Sequence, residues 1–348
     1  MTIDRHNIKS LAEKSKGRGH PHPLPSPLLA LNFGIMIFEA DIASAFRRFS
    51  LLERTERMLT FPVLSDLHVI LEDIDTSEPG LRNSLNAIQA LHQADELFHF
   101  DFFADLGDTG LELPHNEGDE ARERLLNAYS EAHHCTAKPS IICIGNHDFD
   151  HGRLTAEEFG ARMNRPNLER GHILHFGEDS SYGYYDLDRQ RVRVFFLNTG
   201  NGNPYGMDDS QLAFLEQNLL CLQQDWRALF LMHACPHRNG HSARVPYRNP
   251  SFARFGEIVS QSPCSAGILC GDSHFDNEFS FGKAPGVLTQ GYGGATGNDL
   301  PPGGRIHRFD SARTMLAEIV VLRPELRRID VLRMGIDDKA SDRTLHTP

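Results

Sequence analysis

The sequence lacks several features that would assign it to a familiar class. None of its 6 cysteines forms a CxxC pair or shows zinc-finger spacing, which argues against a thiolate metal site and indicates reduced thiols. No apolar run is long enough to cross a bilayer, since the best candidate, residues 28–38, leads directly into Glu39 and Asp41. A long polar segment precedes that run and no clear cleavage site follows, unlike a secretory signal. We therefore expect a cytoplasmic protein.

An excess of positive charge is also absent. Lys and Arg number 35 against 47 Asp and Glu, which gives the 348-residue chain a formal net charge of -12. Acidic residues are spread along the chain, and this argues against electrostatic binding of extended nucleic acid or of an anionic membrane. A small substrate is easier to accommodate.

Strand-like and helix-like stretches alternate after Met58, whereas residues 1–57 are charged, Pro-punctuated and interrupted by one apolar patch. We predict a compact domain over residues 58–335 and a C-terminal tail over 336–348. Residues 1–57 are interpreted as an N-terminal extension, either partly ordered or an upstream extension of the reading frame. The alternation predicts an α/β fold in which helices pack on a sheet.

The apolar pattern predicts the individual elements. Helical spacing covers residues 81–94, 119–132 and 209–222. We expect residues 182–187 to pair with 191–198 as antiparallel strands, and residues 315–334 to form a hairpin. The other predicted strands are 61–65, 97–105, 140–145, 228–233 and 266–271.

Residues of metal-ligating types follow five of the apolar strands. Because ligands bind beyond the carboxyl ends of the strands in an open sheet, these side chains are expected to converge on one crevice. Imidazole, carboxylate and amide oxygen together suit borderline-hard divalent metals. In chain order the residues are Asp66, His68, Asp108, Asn146, His147, Asp148, His233, Asp272 and His274.

Each of these motifs also has a purely structural interpretation. An Asp-x-His loop is more often solvated or turn-forming than ligating, and Asp108 after Gly107 fits an Asx-turn. Asn146 fits a turn cap, and His233 fits a hydrogen-bonded histidine near the core. Five such strand ends, in order in one chain, favour the metal site.

The ordered series DLH, GD, GNHD, a strand-terminal His and a final GxxH resembles the calcineurin-like metallophosphoesterases from about Leu59 to Gly294. The resemblance implies a four-layer α/β/β/α sandwich and two divalent ions, with Mn, Fe, Zn or Mg as candidates. It further implies that Asp66, His68 and His274 hold one ion, Asp108 bridges, Asn146 and His233 hold the other, and His147 acts as general acid or phosphate contact.

Such a centre implies hydrolysis of phosphomono- or phosphodiesters of small molecules or nucleotides by a metal-activated hydroxide. Two ions clamp the phosphate oxygens and lower the pKa of a bound water from 15.7 towards ~7. A protonated His147 then gives its proton to the leaving alkoxide. His237 and Arg244 are candidate substrate contacts, each of which fits a solvated loop equally well.

Two positions depart from the family pattern. Asp272 stands where the family usually has the first histidine of His-x-His, and its added charge predicts a second site that favours Mn or Mg over Zn, or is partly occupied. Leu111 stands where many members have Asp. Asp148 or Asp150 could replace that carboxylate in orienting the catalytic histidine, but the role we favour for them is to shape the local turn at the helix entry.

Two alternatives stay open. A nuclease of the same fold would need a basic groove, which the sequence does not show. A catalytically weakened binding or scaffold protein would account for Asp272 and Leu111, whereas the retention of His147 argues against it.

Overall fold

The computed structural model describes most of the chain. The described ranges are 33–67, 83–108, 119–148, 154–200, 205–238, 249–273, 277–288, 317–334 and 342–348. The helices within them are α1 Phe33–Ser50, α2 Asn83–Phe98, α3 Asp119–His133, α4 Ala156–Glu169, α5 Asp209–Leu220 and α6 Pro250–Gln261. None of these helices combines the length and the apolarity needed to cross a membrane.

The first sheet contains three parallel neighbours at one side and an antiparallel region at the other. Its strands are β1 Leu59–Leu64, β2 Phe103–Asp105, β3 Ser140–Ile142, β11 Ala317–Arg323, β12 Arg328–Met334 and β13 Arg343–His346. Their order is β13-β12-β11-β1-β2-β3, in which β1, β2 and β3 run parallel. The carboxyl ends of β1, β2 and β3 therefore lie at one edge of the sheet.

The second sheet repeats this arrangement with a parallel centre. Its strands are β4 Leu174–Phe176, β5 Gly183–Leu187, β6 Val192–Leu197, β7 Arg227–Met232, β8 Ser265–Cys270, β9 Asn277–Phe281 and β10 Ala284–Leu288. They are ordered β4-β5-β6-β7-β8-β10-β9, and β6, β7 and β8 are parallel.

Alternating side chains divide the core into three clusters. Ile319 packs with α1, α2 and α3 on one face of the first sheet, whereas its neighbour Val320 faces the second sheet. Leu229 also lies between the sheets, and its neighbour Phe230 packs against Phe255 of α6 on the far side. Since side chains alternate across a strand, each sheet buries both faces. These four layers confirm the predicted α/β/β/α sandwich.

Segments on both sides of the predicted domain at 58–335 take part in the packing. In α1, Ala45 and Phe49 are fully buried, and the ring of Phe49 lies 5.1 Å from that of Phe98. At the other end, β13 extends the first sheet through pairing of Leu345 with Ile329. The core therefore extends beyond residues 58 and 335, because an apolar helix face and a final strand complete it.

The predicted elements differ from the structure mainly at one junction. The antiparallel pair β5 and β6 and the hairpin β11 and β12 are confirmed. The predicted strand over 97–105 is wrong in its first part, because Leu97 and Phe98 continue the apolar face of α2. The helix ends at Phe98, the next residue His99 has the left-handed φ of 56° that is common just after a helix, and only Phe103–Asp105 is strand.

A buried ion pair lies in the first sheet beside β1. Glu318 and Arg333 are paired across β11 and β12, with 2.8 Å between Oε1 and Nη2, and their side chains are 4% and 1% exposed. Glu318 also lies next to Val63 in the sheet register. Both side chains are almost inaccessible to water, so the pairing offsets part of the cost of burying two charges.

Replacing Glu318 with Ala is expected to lower the free energy of unfolding by about 3–5 kcal/mol, because the buried guanidinium of Arg333 loses the carboxylate 2.8 Å away. Urea unfolding followed by circular dichroism measures the change. Glu169→Ala is the control, since Glu169 pairs with Arg165 at 60% exposure and its removal should have little effect. Equal losses in the two variants would contradict the prediction.

Candidate metal centre

Parallel strands of both sheets deliver polar side chains to the same region. Asp66, Asp108 and Asn146 follow β1, β2 and β3, while His233 and Asp272 follow β7 and β8. The two sets meet directly, because the Asp272 N–H lies 3.2 Å from the Asp66 carboxylate and Nδ1 of His233 lies 3.0 Å from the Leu106 carbonyl. The predicted convergence of strand ends is therefore present for these residues.

Asp66, Asp108 and His233 form a buried cluster. One ligand atom from each lies within 4.8 Å of the others, and the residues are 0%, 2% and 0% exposed. Carboxylates buried this closely repel each other unless a proton or a cation compensates them. Two carboxylates and one imidazole are donors that a divalent metal accepts.

One ring nitrogen of His233 faces the oxygens of several other residues. Its Nδ1 lies 3.0 Å from the carbonyl of Leu106, so this nitrogen carries the hydrogen and donates. Its Nε2 lies 3.2 Å from Asp108 Oδ2, 3.1 Å from Asn146 Oδ1 and 3.6 Å from Asp272 Oδ1. A neutral imidazole would direct its lone pair at these acceptors, which is repulsive. The arrangement needs a positive charge there, and the donors fit a metal ion.

The electrostatics show the same demand for positive charge. Burial works to lower the pKa of His233, but Asp108, a hydrogen bond to Asp272 and the charge of Asp66 outweigh it and raise that pKa well above 6.5. For Asp108, burial works to raise the pKa, and the facing His233 holds it well below its usual range. In the metal-free protein these interactions favour the protonated form of His233, which pairs with Asp108.

Metal binding at neutral pH is expected to release about one proton, because a cation bound at Nε2 of His233 displaces the proton held there. Since the raised pKa keeps His233 protonated, metal affinity should rise as pH rises through that pKa. Titration calorimetry with Mn²⁺ in two buffers of different ionisation enthalpy measures the release. Identical heats of binding in both buffers would contradict it.

Three aspartates of the centre have left-handed backbone conformations. The φ angles are 54° for Asp66, 58° for Asp108 and 63° for Asp272. Such angles are uncommon outside glycine, cost roughly 1–3 kcal/mol each and concentrate at functional sites. The three strand-to-loop turns are thus held in strained conformations that aim their carboxylates at one point.

Backbone N–H groups hold the loops of the centre in place. The His147 N–H donates to Asp108 Oδ1 at 2.9 Å. Asp148 is fully buried, and its Oδ2 accepts from the N–H of Asp108 at 2.9 Å and of Gly145 at 2.7 Å. Ser65 donates its hydroxyl to Asp66. Asp148 therefore joins the GD loop to the GNHD loop, as a turn-shaping residue would.

The remaining predicted residues fall into two groups. The ring of His237 stacks on Phe279 with centroids 5.5 Å apart and meets Phe281 edge-on at 5.4 Å. His237 therefore packs against aromatic side chains, and a contact with substrate stays a prediction, as do the catalytic roles of His147 and Asp148. Outside the described residues lie His68, His274, Arg244 and Leu111.

Two residues near the centre were missed by sequence reasoning. Tyr205 hydrogen bonds to Asp272, and burial, with the charge of Asp272 next in size, raises the pKa of its hydroxyl. Asp105 is fully buried three positions before Asp108. In the sequence, Tyr205 is marked as a candidate only by its position in a polar loop after β6. Asp105 is the last residue of a strand, and nothing in the sequence distinguishes it from an ordinary strand end.

Comparison with known proteins places the fold. No protein family model matches the chain, and no curated protein matches it. A dimetal phosphatase from Danio rerio shares 14% identity and a TM-score of 0.54, with 83% of this chain and 99% of that chain covered. A purple acid phosphatase from yellow lupin seeds shares 13% identity and a TM-score of 0.54, over 83% of this chain and only 54% of the lupin chain.

A third similar structure is GAP50, the anchor in the inner membrane complex of Plasmodium. It shares 12% identity and a TM-score of 0.52, over 84% of this chain and 89% of that chain. Identities this low establish the fold and nothing finer. The chain shares its fold with these three proteins, which agrees with the fold implied by the resemblance to the calcineurin-like metallophosphoesterases.

Proposed function

We propose that the protein is a dinuclear metal-dependent phosphoesterase that hydrolyses phosphomono- or phosphodiesters of small molecules or nucleotides. The observation that carries the proposal is the nitrogen of His233, which faces the oxygens of Asp108, Asn146 and Asp272 beside Asp66. These nitrogen and oxygen atoms are suitable ligands for a divalent cation. The shared fold of the Danio rerio dimetal phosphatase and of the lupin purple acid phosphatase supports a hydrolase of this kind.

The proposed ligands divide between two ions. Two divalent ions bound here would neutralise phosphate charge and supply hydroxide at neutral pH. His147 is the proposed proton donor to the leaving group, with Asp148 fixing its loop, and His237 and Arg244 are the proposed substrate contacts. For the first ion the ligands are Asp66, His68 and His274, with Asp108 shared, and for the second they are Asn146, His233 and Asp272.

The protein's own groups account for orientation and charge. Asp108 presents Oδ2 to His233 while its Oδ1 is held by the His147 N–H, so the carboxylate cannot rotate freely. The same hydrogen bond fixes the backbone from which the side chain of His147 projects. Because the backbone N–H of His147 also orients Asp108, the proposed proton donor would stay aligned with the metal centre.

The second ion is proposed to be Mn or Mg in preference to Zn. Asp272 places a carboxylate 3.6 Å from Nε2 of His233, where an imidazole would add no charge. Oxygen donors favour the harder cations, and an extra negative charge makes the bound ion a poorer Lewis acid. The identity of both ions stays within the predicted set of Mn, Fe, Zn and Mg.

Replacing Asp272 with His is expected to raise the bound Zn:Mn ratio by about 10-fold, because a softer donor replaces a carboxylate. Metal analysis after equilibration with equal concentrations of both ions measures the ratio. Asp272→Asn keeps an oxygen without the charge, so it separates donor type from charge. An unchanged ratio in Asp272→His, with an unchanged rate of aryl phosphate hydrolysis, would contradict the prediction.

A small substrate is proposed in preference to extended nucleic acid. The chain carries a net charge of -12, and three of its carboxylates, Asp66, Asp108 and Asp272, lie together in the centre. The many phosphates of an extended nucleic acid would be repelled along the whole acidic surface of the protein. A small phosphoester would approach only the centre, where the bound cations would offset that repulsion.

A metal-supplemented substrate screen tests the proposal. The protein is assayed with Mn²⁺, Mg²⁺, Zn²⁺ or Fe²⁺ against aryl phosphate, aryl phosphodiesters and nucleotides. Turnover of at least one class that requires added metal is expected. No turnover with any substrate and any metal would overturn the proposal and favour a binding or scaffold protein, a role that the fold also admits, since the anchor protein of Plasmodium shares it.

A further inference from the structure

A buried carboxylate lies close to the metal centre without belonging to it. Asp105 is the last residue of β2 and is fully buried. One of its oxygens, Oδ1, accepts the N–H of Gly107 at 2.9 Å. The other, Oδ2, accepts the hydroxyl of Tyr129 and faces Nε2 of His133 at 3.0 Å. A carboxylate so deeply buried is tolerated because several donors satisfy it.

The two side-chain donors come from one face of α3. Tyr129 and His133 are four residues apart, so they lie one helical turn from each other. Their rings are 4.5 Å apart in an edge-to-face arrangement, and both residues are nearly inaccessible to water. Burial, together with the charges of Asp105 and Asp148, raises the pKa of Tyr129 well above its ordinary value, so its hydroxyl keeps its hydrogen and donates.

The accepted N–H belongs to Gly107, a residue that connects two proposed metal ligands. Gly107 directly precedes Asp108, and its carbonyl accepts the N–H of Asp66 at 2.9 Å. Gly107 has a φ of 101°, and a Cβ there would lie 2.5 Å from the Gly145 nitrogen. The loop is therefore packed too closely to shift on its own, and the hydrogen bond to Asp105 fixes its orientation.

We propose that Tyr129 and His133 are positioning residues for the metal centre, acting through Asp105 and the Gly107 peptide on Asp66 and Asp108. The inference rests on the proposed metal-dependent function, because it concerns ligands of that centre. Groups that orient metal ligands from behind typically change metal affinity by about 10–100-fold when they are removed. A polar network that served only the stability of the core would leave metal affinity unchanged.

The test compares metal affinity with stability in the full chain. Tyr129→Phe removes one hydroxyl, His133→Leu removes the imidazole donor, and His133→Gln restores an N–H donor. The matched control is His134→Leu, because His134 is the next residue, is 5% exposed and bonds to the carbonyl of Met163 instead of Asp105. Mn²⁺ affinity is measured by calorimetry, the dinuclear centre by the electron paramagnetic resonance signal of coupled Mn²⁺, and stability by thermal unfolding.

Tyr129→Phe and His133→Leu are expected to weaken Mn²⁺ binding by about 10–100-fold and to reduce the coupled signal, with His133→Gln recovering most of the affinity. His134→Leu should lose stability with its Mn²⁺ affinity unchanged. If His133→Leu does not fold, Tyr129→Phe and His133→Gln carry the comparison. Mn²⁺ affinities within about 2-fold of the wild type in both Tyr129→Phe and His133→Leu would overturn the inference.

The outcomes also separate this inference from the proposed function. Wild-type protein that binds Mn²⁺ but hydrolyses no phosphoester would overturn the proposed function, while weaker binding in the variants would still support the positioning role. Wild-type protein that binds no divalent metal would overturn both. Turnover in the wild type with unchanged Mn²⁺ affinity in the variants would overturn the positioning role alone.

Discussion

Asp108→Asn is expected to abolish binding of the metal pair and to lower phosphoesterase turnover by at least about 1000-fold, because the hydroxide supplied at neutral pH depends on the bound ions. Asp108 is 2% exposed, lies 3.2 Å from Nε2 of His233 and accepts the N–H of His147. Asparagine has nearly the same shape but one oxygen acceptor and no charge. If the amide oxygen pointed at the proposed metal site, the His147 N–H would lose its acceptor. If the oxygen kept that hydrogen bond, the amide NH₂ would face the bound cation. Calorimetry with Mn²⁺ and aryl phosphate hydrolysis measure both effects.

The control for this substitution removes an equal charge elsewhere. Asp209 is an exposed residue of the first turn of α5, and Asp209→Asn changes the net charge by the same amount. That variant should bind Mn²⁺ and turn over substrate as the wild type does. If Asp108→Asn retained wild-type metal content and rate, the assignment of the centre to this cluster would be wrong.

The fold was predictable to the extent that each element carries its own pattern. Strands such as β8, with all six residues buried, read as apolar runs, and β5 and β6 alternate as antiparallel strands do. The packing of α1 was not predictable, because an isolated amphipathic stretch does not reveal which surface it covers. Phe49 finds its partner Phe98 some fifty positions away only in three dimensions.

The centre was predictable to the extent that it follows strand ends. Asp108 and His233 are 125 positions apart in the chain. Each follows a strand in the parallel part of its own sheet, and the carboxyl ends of the two strands lie close together. Their supporting groups were not predictable in this way. Tyr129 and His133 fit the core face of an amphipathic helix, and nothing in that spacing distinguishes a residue that packs from one that also donates to Asp105.

The left-handed turns were also hidden from the sequence. Aspartate tolerates positive φ better than most residues but adopts it only where the surroundings require it. At Asp66 and Asp272 the positive φ angles accompany a contact between the two sheets, since the Asp272 N–H lies 3.2 Å from the Asp66 carboxylate. The residues in contact are far apart in the chain, so the local sequence around either one does not contain this information.

Gly145→Ala is expected to eliminate metal binding through the backbone, without altering any proposed ligand. A Cβ at Gly145 would lie 2.1 Å from Asp108 Oδ1, 2.3 Å from the Asp108 nitrogen and 2.8 Å from its Cγ. The carboxylate can rotate away only by giving up its hydrogen bond to the His147 N–H, and the nitrogen belongs to a turn that Asp148 holds on both sides. The GD and GNHD loops must therefore separate, which removes Asp108 from His233. Overpacking of this kind costs typically 1–3 kcal/mol of stability, so about that loss should accompany the loss of Mn²⁺ affinity.

Gly171→Ala provides the matched control for that substitution. Gly171 follows α4 with a φ of 83°, and a Cβ there would meet nothing within 4 Å. Alanine is strained in this conformation by roughly 1–2 kcal/mol, so the control should lose a similar amount of stability. Because its strain lies in an open turn away from Asp108, Mn²⁺ affinity and turnover should remain at wild-type values. If both variants lost metal to the same degree, the effect would reflect general destabilisation; metal loss in Gly145→Ala alone would show that the contact between the two loops sets the position of Asp108.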